Sequence, residues 1–90
     1  MATQTREQRK TWRVTNTKTV SIQFVLEPWG DIIEMLPDKT YEVIAVGPDD
    51  GTLETEVSDD QITVYAWVGA SLTVTSDGKE IWSRPSLSIP

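Results

Sequence analysis

Three carboxylates, Glu27, Asp31 and Glu34, bracket Trp29. A pair of acids beside an aromatic ring is the equipment of glycoside hydrolysis, in which one acid protonates the leaving oxygen and the other attacks or activates water. A compact chain of 90 residues offers little room for the long cleft and buried acid of raised pKa that such chemistry needs. A second acidic group, Asp49, Asp50, Glu54, Glu56, Asp59 and Asp60, contains no cation and supplies the hard oxygen atoms that calcium prefers. Its spacing lacks the alternating ligands and closing glutamate of an EF-hand, so turn acids and solvent-facing strand glutamates account for it. Histidine and cysteine are absent, which removes imidazole bases, thiolate nucleophiles, disulfides and the usual ligands of zinc, copper and iron. Gly69-Ala70-Ser71 lacks the second glycine of a nucleophile elbow, and no phosphate-cradling or dinucleotide-binding glycine pattern occurs. These residues point away from an enzyme and call for no metal or cofactor.

Four tryptophans stand beside one phenylalanine and two tyrosines. Trp12, Trp67 and Trp82 fall in strand-like patterns and read as core or sheet-covering residues. Trp29 falls at a hairpin tip, where two geometries compete. Folded back through Pro28 it caps one end of the core; projecting between Glu27 and Asp31 it offers a platform for a sugar face, a proline-rich peptide or a cation. The candidate partner-binding set is therefore Glu27, Trp29, Asp31, Tyr65, Trp67 and Trp82.

The elements that must position these residues have period two. Trp12 and Val14 alternate with Arg13 and Thr15, Asn16-Thr17-Lys18 supplies turn residues, and Val20, Ile22, Phe24 and Leu26 alternate with Ser21, Gln23, Val25 and Glu27. Glu27-Pro28-Trp29-Gly30 reads as a type I turn closed by a glycine bulge, returning into a strand over residues 32–36. Leu36-Pro37-Asp38-Lys39 is a second proline-led turn, followed by a β-branched strand over residues 40–46 that is apolar on both faces. Further strands are expected over residues 52–57, 62–68 and 72–76. In the second of these, Ile62, Val64, Ala66 and Val68 share a face opposite Thr63, Tyr65 and Trp67. Asp77-Gly78 is a two-residue hairpin signal leading into a last strand over residues 79–82. No ten-residue stretch has a helical period. Short strands joined by hairpin-length turns predict an all-β, single-domain antiparallel sandwich or small flattened barrel of seven or eight strands.

The predicted core is Val14, Ile22, Phe24, Leu26, Ile33, Val43, Leu53, Ile62, Val64, Leu72 and Val74. Alternation places Ile32, Ile44, Tyr65, Trp67 and Trp82 on the opposite faces, where the N-terminal arm, Leu87 and Ile89, or a second copy of the chain would cover them. The run from Val14-Thr15-Asn16 through Leu26-Glu27-Pro28-Trp29-Gly30 to Tyr41-Glu42-Val43 and Gly47-Pro48, with the later Thr63-Val64-Tyr65-Ala66-Trp67, resembles a group of small bacterial β-rich proteins marked by an LEPWG turn. That resemblance spans roughly residues 12–82 and carries no functional residue across. Asn16 followed by Val20-Ser21-Ile22-Gln23-Phe24 and by Pro37-Asp38 is similar to immunoglobulin-like sandwich modules, which bears on fold alone.

The formal charge of −6 is unevenly placed. Residues 1–18 hold Arg6, Arg9, Lys10, Arg13 and Lys18 against Glu7, while residues 19–90 hold 3 basic and 13 acidic groups. An acidic surface disfavours nucleic acid and anionic membranes, and the two parts attract each other. Residues 1–9 read as a flexible basic arm, 10–84 as the domain and 85–90 as a tail. With no apolar run able to span a bilayer and no hydrophobic leader, the expected setting is the cytoplasm. The expected function is a non-catalytic binding or assembly module for a protein partner, including itself as a homo-oligomer; the alternative is a carbohydrate or small-ligand module using exposed Trp and Tyr.

Overall fold

Period-two patterning, clearest over residues 22–27, 40–48 and 71–76, underlies eight strands in the computed structural model, which describes residues 7–48 and 51–86 and has no helix among them. They are β1 (Glu7–Thr15), β2 (Ile22–Glu27), β3 (Asp31–Met35), β4 (Thr40–Pro48), β5 (Glu54–Val57), β6 (Gln61–Tyr65), β7 (Ser71–Ser76) and β8 (Lys79–Arg84). Two four-stranded sheets form, in the orders β1-β4-β7-β8 and β3-β2-β6-β5. The all-β sandwich read from the sequence is the observed architecture. Among the described residues, no helix is long and apolar enough to cross a membrane.

The core lies between the inner faces: Ile22, Phe24, Leu26 and Met35 from one side of the β3-β2-β6-β5 sheet, with Ile62 and Val64, against Tyr41, Val43, Ala45, Leu72 and Val74 of the other sheet. Val14, Ile33 and Leu53 are partly buried at its margin. Met35, Tyr41 and Ala45 complete it, and the Tyr41 ring meets Phe24 edge-on at 5.3 Å. All ladders are antiparallel except β2 with β6, which run parallel with Leu26 beside Val64. That exception arises because β2 and β6 are not joined by a hairpin. After β3 the chain crosses to the other sheet as β4, and it returns through β5 so that β6 arrives in the direction of β2.

Several local expectations change. β1 begins at Glu7, not after residue 9, because nine-residue β4 offers a ladder as far as Pro48, opposite Glu7. The polar sequence of residues 7–10 hides this, since that end of the edge strand is largely exposed. The remaining arm residues, 1–6, lie outside the described residues, as do Leu87 and Ile89 of the tail. At the hairpin tip the Glu27–Pro28 peptide is cis, Gly30 has the positive φ of 74° expected of a closing glycine, and its N–H donates to the Leu26 carbonyl at 2.8 Å. Asp77 and Gly78 both have positive φ, as a type I′ hairpin requires.

Asn16 is more than a turn residue. It is 1% exposed, its Nδ2 donates to the carbonyls of Val20 and Met35, and its Oδ1 accepts from the Lys18 N–H. Its backbone exchanges hydrogen bonds with Lys39 and Asp38. One side chain thus ties the β1–β2 crossover to the end of β3 and the β3–β4 turn.

Candidate functional site

β8 carries a bulge between its pairings with Val74 and Thr75. Counting outward from the Asp77-Gly78 turn, Lys79 faces Ser76 and Glu80 faces Thr75, so Ile81 would face Val74 and Trp82 would point outward. The bulge leaves Ile81 without a partner and sets Trp82 opposite Val74 and Arg84 opposite Leu72. One extra residue therefore reverses the faces of everything beyond it. Trp82, expected on the outer face, packs against the core, and Ile81 is exposed.

Across the gap stands Asp31, the first residue of β3. Its Oδ2 accepts from Trp82 Nε1 at 3.0 Å and pairs with the Arg84 guanidinium at 2.9 Å. Arg84 also lies 5.4 Å from the Trp82 ring centre. Trp29, two residues before Asp31 on the hairpin tip, is partly buried against the core and meets Trp82 edge-on at 5.6 Å. Trp29 is thus a cap in its packing, while its remaining surface helps line a cavity.

That cavity, about 280 Å³, is lined by Pro28, Trp29, Ala66, Trp67, Val68, Gly69 and Ala70. Trp67 was expected within a strand continuing to residue 68, but β6 ends at Tyr65. The Ala66 N–H still bonds to the Glu27 carbonyl, and the chain then turns, with Ala70 N–H donating to the Trp67 carbonyl. The Trp67 indole lies against Gly51, where an added Cβ would sit 2.0 Å from the ring, and its Nε1 donates to the Pro48 carbonyl at 2.9 Å. Only a residue without a side chain fits under the ring at position 51. Val68, which strand alternation sets on one face with Ile62, Val64 and Ala66, is 84% exposed at the cavity rim.

The six residues singled out from sequence divide in two. Trp29, Asp31, Trp67 and Trp82 gather at one end of the sandwich, while Glu27 and Tyr65 are register partners on β2 and β6. An open hollow on the far side of Trp67 is lined in part by Tyr65 and Glu54. Asp31 and Glu34 lie three residues apart on β3 and so on opposite faces, which separates the carboxylates weighed for hydrolysis. Of the acidic run, Asp49 and Asp50 lie outside the described residues; among those described, no three acidic groups converge as a metal site. Ile32 and Tyr65 remain exposed, whereas Ile44 is partly covered. Sequence reasoning missed Arg84, although its spacing of two from Trp82 places both on one face, and it missed Gly51 and Pro48, which no local pattern links to Trp67.

Comparison of the chain with protein-family models, curated proteins and solved structures finds no match.

Proposed function

We propose that the chain is a non-catalytic binding module that takes one apolar side chain of a protein partner, a proline or leucine in an extended segment, between Trp29 and Trp67. The observation that carries this reading is the apolar, tryptophan-walled cavity at the end of the sandwich. Pockets for drug-sized ligands run from about 300 Å³ upward, so about 280 Å³ suits a single anchoring side chain, the unit on which protein interfaces concentrate their affinity. Its walls are preorganised: Trp67 is fixed by Pro48 and Gly51, and Trp29 by Trp82. A rigid receptor loses little conformational entropy on binding.

The carbohydrate alternative draws less support. The indole N–H groups of Trp67 and Trp82 are engaged by Pro48 and Asp31, which leaves few polar handles beside the aromatic faces for sugar hydroxyls. Titration of the protein with the N-acetyl amides of proline, leucine and phenylalanine, and separately with maltose, tests the choice through the indole N–H resonances. The expected result is a saturable shift of Trp29 and Trp67 with proline or leucine amide at millimolar concentration and none with maltose. Shifts with maltose alone would reverse the assignment.

A further inference from the structure

The sandwich has four edge strands, β1 and β8 in one sheet and β3 and β5 in the other. The Trp82–Asp31 contact places β8 and β3 on the same flank, so β1, at the far end of its sheet, lies on the opposite flank from β3. Exposed edges invite pairing with other chains unless shortened, bulged or charged. β8 has its bulge and Lys79, Glu80 and Arg84. β5 has only four residues, with Glu54 and Glu56. β3 has no bulge, proline or cation within Asp31–Met35; on its outer face it carries exposed Ile32 and the acid Glu34, while Asp31 faces the other way and is already paired with Arg84. β1 is nine residues long and carries Arg9, Lys10 and Arg13, none in an ion pair among the described residues.

From these edges we infer that the chain self-associates head to tail, the basic edge strand β1 of one copy adding to the acidic edge strand β3 of the next. Like edges repel: β3 against β3 brings acids together, and β1 against β1 brings cations together, so a two-fold pairing of either edge is disfavoured. β1 against β3 satisfies both. In antiparallel pairing with Arg9 beside Glu34, Thr11 falls beside Ile32 and covers it. Both edges cannot meet within one molecule because they occupy opposite flanks. The contact is therefore heterologous, and it grows into a chain or a ring instead of stopping at a dimer. The Trp29–Trp67 cavity takes no part in this pairing, so the inference stands apart from the binding reading above.

Sedimentation equilibrium on the full chain tests it, with circular dichroism to show that each variant is folded. The unmodified chain is expected to gain mass steadily with concentration at low salt and to return toward monomer at high salt, as the screening length falls from about 30 Å at 0.01 M to about 3 Å at 1 M. Glu34→Lys alone and Arg9→Glu/Arg13→Glu alone should each be monomeric, and an equimolar mixture of the two should associate again, because the reversed edges match each other. Val68→Asp, at the cavity rim, should associate like the unmodified chain. A monomer at low salt and millimolar concentration, association untouched by Glu34→Lys, or a mixture that stays monomeric would each overturn the inference.

Discussion

The indole nitrogen of Trp82 on β8 and the carboxylate of Asp31 on β3 join the two sheets across an open flank, 3.0 Å apart. The same oxygen holds Arg84, so one carboxylate positions two side chains that the bulge in β8 has turned inward. Removing it should cost more than removing the guanidinium alone. Asp31→Ala is expected to lose about 1–2 kcal/mol, and Arg84→Ala less than about 1 kcal/mol because that ion pair is partly solvated. Urea unfolding of both variants checks the order; equal losses would mean that the guanidinium, not the indole, carries the clasp.

Asn16 satisfies three backbone groups with one buried amide. Asn16→Ala strands the Val20 and Met35 carbonyls and should destabilise the fold by about 2–4 kcal/mol. Asn16→Asp keeps the shape but replaces two donors with a carboxylate facing two carbonyls. Its loss should be larger near neutral pH and should shrink as the medium is acidified, when the acid becomes a donor. Thermal melts across that pH range read the difference.

Gly51 lies under the Trp67 ring so closely that any Cβ must displace it. Gly51→Ala is therefore expected to cost about 1–3 kcal/mol and to shift the Trp67 indole N–H resonance as its bond to Pro48 lengthens. In the Trp67→Ala background the same glycine substitution should cost little. A full penalty in that background would show that the conflict lies elsewhere.

The Tyr41 hydroxyl is raised above the ordinary tyrosine value of 10.0, first by burial and then by the Glu34 carboxylate. With a folded-state pKa above the unfolded one, the unfolded chain releases its proton first as pH rises. Stability from this group is then complete below about pH 10 and falls above it, up to the folded pKa. Tyr41→Phe should lose about 1 kcal/mol at neutral pH, with its bond to the Glu34 carbonyl, yet show a weaker alkaline decline than the parent. Parallel declines would assign the effect to other groups.

Much of this architecture is legible in the residues. The alternation from Ile22 to Leu26 and the Asp77-Gly78 turn specify their strands and hairpin through local chemistry. What escapes reading is non-local. The β8 bulge shifts register by one residue and sends Trp82 and Arg84 inward, which no count from the turn reveals. Asn16 resembles any turn asparagine until the carbonyls of Val20 and Met35 converge on it. Trp67 looks like a strand residue because the feature that ends β6, its indole bond to Pro48, comes from another strand nineteen positions away. The aromatic residues of the site were visible as candidates, and the cavity between two of them was not, because it depends on how loops from separate strands meet.

The proposed seating of an apolar side chain between Trp29 and Trp67 is read by contact between a probe and those two rings. Isotope-filtered NOE spectra of the labelled protein with unlabelled N-acetyl-leucine amide at millimolar concentration read that contact. The expected result is cross-peaks from the leucine methyls to ring protons of both Trp29 and Trp67, with none to Tyr65 in the neighbouring hollow. Cross-peaks to Tyr65 alone, or none to either tryptophan, would contradict it.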